Sequence, residues 1–350
     1  MKDTTLMSTP PETTPDLQPN EGNFDLQLRP KSLEEFVGQS KLKSHIALSV
    51  AAAKKRGEPL EHVLLYGNPG LGKTTLAHII SSELGRAIRV TSGPVLERAG
   101  DLAAILTNLG DGDILFVDEC HRINPLVAEV LYPAMEDFAL DLVLGKGPSA
   151  KTIRIDLPHF TLIGATTRAS LLPGPMRDRF GLSYHLDFYE LSELIEIVRR
   201  SATLLGLPLD GNASQTISER ARRTPRVANR LLKRVRDYAE VHNLLPVTPA
   251  VVENAMHLLD IDHIGLDAMD RKILETLIEK FHGGPAGLQA IAASTAEEME
   301  TLETIYEPYL MHLGLIDRTP RGRVATARAY EHLGRDMPQQ QKLQMSNGNE

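Results

Sequence analysis

Residues 67–75 read GNPGLGKTT, a full match to G-x-x-x-x-G-K-[ST]. Gly67, Gly70 and Gly72 let a backbone curl until its N–H groups converge on phosphate oxygens at a helix N-terminus. Lys73 then suits the β- and γ-phosphates, and the hydroxyl of Thr74 suits Mg²⁺. A second group, ILFVDE at 114–119, is an apolar run ending in two carboxylates. Asp118 is read as holding Mg²⁺ through water, and Glu119 as polarising the water that attacks. FTLIGATTR at 160–168 ends in hydroxyls placed for the γ-phosphate or that water, with Thr167 the first choice and Thr166 the alternative. PMRDRFG at 175–181 adds Arg177 and Arg179. Either guanidinium, lent to a neighbouring subunit's γ-phosphate, would be worth about 10³–10⁵ in rate. The alternative is a surface ion pair with Asp178. TPR at 224–226 opens a helix from which Arg226 could reach back over the phosphates. The chemistry implied is binding and hydrolysis of ATP with Mg²⁺.

These groups need a frame. Apolar runs at 62–67, 87–93, 113–119 and 160–166 alternate with helical patterns from 24 to about 186. Strands separated by helices imply a parallel α/β sheet covered on both faces. From about 187 to 260 the pattern is purely helical, which implies a small helical second domain. Residues 261–336 combine helix MDRKILETLIEKF, the turn Gly283–Gly284, more helix and the β-type stretch LIDRTPRGRVATAR. The segments 1–23 and 337–350 have no apolar periodicity and read as disordered tails. Inside the first domain, Leu140, Leu142 and Leu144 alternate ahead of GKGPS, and Ile153, Ile155 and Leu157 after it. That is a hairpin pattern, either a protruding ribbon or a sheet edge packed on its own domain.

Composition narrows the class. The formal net charge is −8, so any nucleic-acid contact must come from a local basic patch. Arg318, Arg321, Arg323 and Arg328 make one, against the single acid Asp317. A solvated charged loop is the other reading. Cys120 stands alone, which excludes a disulfide framework and a cysteine-built zinc site and suits a reducing cytoplasm. No apolar run approaches the ~18 residues of a membrane helix.

The ordered motifs LRPKSLEEFVGQ (28–39), GNPGLGKTT, VDECHR (117–122), YPAMEDF (132–138), GATTR, RDRFG, TPRVANRLLKRVRD (224–237), GGPAGL (283–288) and RTPRGR (318–323) resemble the RuvB family. The resemblance runs from Leu28 to Gly334. It implies an AAA+ core, a helical lid and a C-terminal winged helix, assembled as a hexameric ring. It also implies ATP-driven branch migration of Holliday junctions in recombination and repair, with RuvA gripped by the hairpin at 137–158 and RuvC joining in the resolving assembly. By the same resemblance, adenine-side contacts fall on Leu28 and Arg29, and phosphate and magnesium contacts on Gly70, Lys73, Thr74 and Thr75. Glu136, Asp137 and Phe138 match a nucleotide-proximal stretch. Arg179, in preference to Arg177, matches the arginine acting in trans; Tyr189 and Arg226 match contacts from the lid. DNA contacts fall on Arg318 and Arg323, while a third family arginine aligns with Met299. Cys120 stands where the family has isoleucine, and Arg223 where it has glycine.

Two rival readings keep part of this pattern. A clamp-loader subunit shares the core but usually carries a different third domain. An ATP-gated DNA-binding switch keeps the P-loop and winged helix and predicts negligible turnover, against which the Asp118–Glu119 pair argues.

Overall fold

The computed structural model describes residues 12–14, 27–144 and 151–338. The chain divides into two compact units, Leu26–Tyr189 and a second that joins the residues from Glu190 onward with Glu12–Thr14.

In the first unit, helix α1 (Ser40–Arg56) precedes β1 (Val63–Tyr66), which runs through the P-loop into α2 (Lys73–Leu84). Next come β2 (Ile88–Ser92), α3 (Ala99–Leu106), β3 (Ile114–Asp118) and α4 (Pro125–Glu136). A hairpin of β4 (Ala139–Leu144) and β5 (Lys151–Asp156) follows, then β6 (Thr161–Thr166), α5 (Gly174–Arg177) and β7 (Leu182–His185). Five strands form a parallel sheet in the order β2-β3-β6-β1-β7. The composition of each strand follows its place. Every residue of β6 is buried and all but the last of β3, as expected for central strands covered on both faces, whereas edge strand β2 has no fully buried residue and exposes Arg89 and Val90. The four apolar runs of the sequence are β1, β2, β3 and β6. The fifth strand, β7, escaped because LSYH is short and half polar; it lies at the other edge, where one face needs no apolar side chains.

Sheet order does the positioning. With β1 beside β6 and β6 beside β3, the carboxyl ends of three strands share one edge of the sheet. Ligands of open α/β sheets bind outside those ends. His62, buried ahead of β1, ties this layer to α4: its Nδ1 accepts from the Leu162 amide and its Nε2 faces the Met135 carbonyl, both at 2.9 Å. Those partners select the neutral Nε2–H tautomer, and burial pushes the imidazole below its ordinary value.

The β4–β5 ribbon is a separate two-stranded antiparallel sheet, with Leu140 opposite Ile155 and Leu142 opposite Ile153. Leu140, at its foot, is fully buried in the core, while Ile153 is 45 % exposed. The expected turn GKGPS falls largely on 145–150, outside the described residues.

The second unit opens with four helices, α6 (Leu191–Leu204), α7 (Ala213–Glu219), α8 (Pro225–His242) and α9 (Pro249–Leu258). Helix α8 buries Val227, Leu231, Val235 and Ala239, the i, i+4 stripe of a helix packed on one face. Beyond it, α10 (Ala268–Glu275), α11 (Leu288–Thr295), α12 (Met299–Thr301) and α13 (Glu307–His312) pack around the hairpin of β8 (Ile316–Thr319) and β9 (Gly322–Ala325). Two residues, Pro320 and Arg321, separate the strands. Reciprocal bonds between Ala286 and Arg323, at 2.9 and 2.8 Å, add a third strand-like contact at the foot of this wing.

Two details depart from the sequence reading. Glu12–Thr14, inside the segment read as a disordered tail, lie against α8 and the start of α10. The buried Arg230 guanidinium donates to the Glu12 carbonyl at 3.0 Å and to the Thr14 carbonyl, and Arg234 Nε donates to Glu12 Oε1 at 2.9 Å. Thr13, fully buried, donates its hydroxyl to Asp267. Two of these four bonds end on main-chain carbonyls, and none of them requires apolar periodicity, so they leave no periodic trace in the sequence.

The second detail is Arg223. Its φ is +56° and that of Arg222 is +49°, the left-handed region that favours glycine. Arg222 is compensated: its guanidinium is buried against Asp270 and Asp267 and lies 5.2 Å over the Tyr309 ring. Among the described residues, Arg223 pairs with a Glu190 oxygen 4.0 Å away, near the surface. A non-glycine residue in this region costs about 1–2 kcal/mol, and glycine gives back roughly 0.5–1 kcal/mol through its looser unfolded chain. Arg223→Gly should therefore raise the thermal midpoint by about 1–3 °C, measured by calorimetry. A fall would mean that the side chain carries more than its geometry indicates.

Candidate active site

Gly67 leaves β1 with φ +143°, and a Cβ there would meet the Leu186 carbonyl oxygen at 2.4 Å. This close crossing bends the loop over the sheet edge, and α2 starts at Lys73 with Gly72 as its left-handed cap. Lys73 is buried, and its Nζ donates to the carbonyls of Gly67 and Asn68, each at 2.9 Å. A phosphate oxygen competes for the same ammonium protons. Gly70 lies on the loop at φ +77°, and Thr75 follows Thr74 on the first turn of α2. The Thr74 hydroxyl stands 3.4 Å from Asp118 Oδ2, across from the end of β3. Asp118 Oδ1 accepts from the Glu119 amide at 2.9 Å, so the carboxylate is braced by its own backbone.

Aromatic side chains close over the loop. Tyr189 donates to the Leu71 carbonyl at 3.3 Å. The Phe36 ring lies against Gly72, where a Cβ would come within 3.3 Å of it. Phe36 was not singled out from the sequence, although it falls in the LRPKSLEEFVGQ stretch. Leu28 is buried at the start of that stretch. Arg29 lies near α2: after burial, its positive charge is the second cause that lowers the His78 imidazole from its ordinary value.

Past β3, Glu119 adopts φ +48°. The two threonines at the end of β6 separate here. Thr167 donates to Glu119 Oε2 at 3.4 Å, whereas Thr166 is fully buried and accepts the Arg168 amide at 2.9 Å. Cys120 is buried beneath Gly164, and burial followed by the charges of Asp118 and Glu119 pushes its thiol far above its usual range. It is an inert packing residue.

The arginines past β6 separate as well. Arg177 is exposed. Arg179 is half-buried, donates to Glu136 at 2.6 Å and to the Pro175 carbonyl at 2.7 Å, and lies 5.1 Å over the Tyr132 ring. Its buried Nε has no hydrogen-bond partner among the described residues. Asp137 pairs with Arg154 at 3.4 Å, and Phe138 packs 4.2 Å from His159. Of the three residues at the end of α4, Glu136 thus meets Arg179, while Asp137 and Phe138 turn to Arg154 and His159; none of these partners is a P-loop residue.

Three family models match in succession: the Holliday junction DNA helicase RuvB P-loop domain over 28–186, the RuvB AAA lid domain over 189–262 and the RuvB C-terminal winged helix domain over 263–334. The chain belongs to the RuvB family. It is a P-loop ATPase of the AAA+ type. The Holliday junction branch migration complex subunit RuvB of Dehalococcoides mccartyi (strain CBDB1) is 55 % identical over 333 residues, covering 94 % of this chain and 95 % of that one. The solved Thermotoga maritima RuvB Holliday junction branch migration motor is 52 % identical with a TM-score of 0.83, covering 89 % of this chain and all of that one. A variant of the same Thermotoga protein superposes with a TM-score of 0.82.

On the winged helix that the RuvB model matches, the arginines differ in environment. Arg318 is 56 % exposed and 3.6 Å from Glu303. Arg321 and Arg328 are exposed. Arg323 is held by Glu307 through two bonds of 3.1 and 2.8 Å, both side chains nearly buried. Met299, at the start of α12, is 48 % exposed. In the lid, Arg226 is half-buried on the first turn of α8. No helix among the described residues is long and apolar enough to cross a membrane.

Proposed function

We propose that this chain is the ATP-driven motor of a RuvA–RuvB–RuvC assembly, translocating duplex DNA to move the branch point of Holliday junctions. The observation that carries this reading is one sheet edge holding Lys73, Asp118, Glu119 and Thr167 in a chain related to RuvB across nearly its whole length. The domain limits proposed are 24–186 for the core, 187–260 for the lid and 261–336 for the winged helix. The setting proposed is the cytoplasm.

ATP is the substrate. Amides of the loop and Lys73 take its phosphates, and Thr75 closes the cradle. Leu28, Arg29 and Tyr189 bound the adenine side, and Arg226 is a further nucleotide contact. Mg²⁺ takes one or two protein oxygens and completes its shell with phosphate and water. Thr74 and Asp118, two oxygen ligands 3.4 Å apart, fit that demand. When bound, the ion would neutralise charge on the phosphates. Glu119 orients and polarises the attacking water while Thr167 holds the carboxylate. Arg179, paired with Glu136, acts on the γ-phosphate of the adjacent protomer in a hexameric ring, with Asp137 and Phe138 following Glu136 in the same nucleotide-proximal stretch. The β4–β5 ribbon is the grip for RuvA.

Arg318, Arg321 and Arg328 contact DNA phosphates, a mode of binding indifferent to sequence and sensitive to salt. Arg323 joins them when its pairing with Glu307 is exchanged for a phosphate. The test is ATP turnover and branch migration on a synthetic four-way junction, with and without RuvA. Junction and RuvA together should raise turnover above either alone, and the junction should be resolved into its arms. Negligible turnover even with both present would reject the motor in favour of an ATP-gated switch.

A further inference from the structure

His121 lies two residues beyond Glu119, in the short 3₁₀ turn Cys120–Arg122. Its side chain is 4 % exposed, and its Nδ1 stands 2.8 Å from Thr166 Oγ1 and 3.3 Å from Glu119 Oε2. An imidazole lone pair aimed at a carboxylate oxygen is repelled, whereas an N–H aimed at it is attracted. The geometry therefore selects the Nδ1–H tautomer, one proton shared between Thr166 and Glu119. Thr166 can accept this bond because its oxygen has two lone pairs and the Arg168 amide takes one. Thr167 donates to the same Glu119 oxygen at 3.4 Å. One oxygen of Glu119 thus faces two donors, one of which is tied to the buried end of β6.

We propose that His121 is a positioning residue for hydrolysis, fixing the Glu119 carboxylate to the end of β6 so that its orientation follows Thr166 and Thr167. The proposal rests on the reading of Glu119 as the group that polarises water. Glu119 sits on a left-handed backbone just past the strand. His121 ties the Glu119 carboxylate to Thr166. It also makes the strand end that faces the γ-phosphate the part of the protein that sets the carboxylate.

Asparagine and glutamine separate the roles of the two ring nitrogens. The amide of Asn reaches the place of Nδ1, while that of Gln reaches the place of Nε2. In the full-length protein with RuvA and junction, His121→Ala and His121→Gln should lower kcat about 10–100-fold, the scale of a small misplacement of a reacting group. Fluorescent-nucleotide affinity should stay within about 3-fold, and His121→Asn should keep most of kcat. In a Glu119→Gln background, His121→Ala should lower kcat little further, since the two losses share one route. If Glu119→Gln leaves kcat intact, the reading of Glu119 fails. If Glu119→Gln is slow but the Asn and Gln variants are equally active or equally impaired, or if the losses multiply, the positioning role of His121 is overturned. The Asn and Gln pair decides the matter should His121→Ala fold poorly, with melting midpoints as the check.

Discussion

Arg179→Ala should bind ATP with near-unchanged affinity and lose ATP turnover by about 10³–10⁵-fold. The side chain sits at the end of α4 and α5 with Glu136 and Tyr132, and its Nε lacks a partner among the described residues. A guanidinium that only stapled its own surface would be replaceable, because its pair with Glu136 is partly solvated and such pairs contribute little. The large loss is expected only if the group completes a site on the neighbouring protomer. Mixing decides between the two. Arg179→Ala protomers keep the P-loop and lack the arginine, whereas Lys73→Ala protomers lack the lysine and keep the arginine. Where one sits beside the other, an intact composite site returns, so mixed rings should recover measurable turnover that neither variant shows alone. Mixed rings of verified composition that stay inactive would rule out action across the interface.

Glu119→Gln should have the second largest effect. The amide matches the carboxylate in shape and keeps a partner for Thr167, so folding and nucleotide binding should survive. It cannot draw a proton from water, and loss of a general base typically costs about 10²–10⁴ in rate. Single-turnover hydrolysis should slow by that factor while ATP stays bound, leaving protein stalled on junction DNA. Asp118→Asn should differ in kind, because it weakens the Thr74–Asp118 oxygen pair and so raises the Mg²⁺ concentration needed. Single-turnover hydrolysis by Glu119→Gln within a few-fold of the unaltered protein would remove Glu119 from the reaction.

What the sequence disclosed follows a physical rule. Strands β1, β3 and β6 are buried on both faces, so they read as unbroken apolar runs, and the candidate catalytic groups hang on their ends at fixed offsets. Edge strand β7 has no such signature and was missed. The distinction between Thr166 and Thr167 was also hidden: adjacent residues of a strand point to opposite faces, and only sheet order tells which faces Glu119. Arg179 and Arg177 look alike in PMRDRFG, yet one is anchored by Glu136 and the other is exposed. The family resemblance marked Arg223 as anomalous; its positive φ supplies the reason. Arg323 and Arg318 look equivalent in RTPRGR, and burial of Glu307 separates them. Glu12–Thr14 could not be foreseen, since a backbone carbonyl presented to Arg230 is the same for every side chain.

That last attachment has a consequence for how force is borne. With Glu12–Thr14 anchored on α8 and α10, the polypeptide passes between the two compact units twice, once ahead of Leu26 and once after Tyr189. The nucleotide-binding unit is therefore an insertion spliced into the other, leashed at both termini. A change made at the nucleotide site therefore has two covalent lines into the unit that carries the winged helix.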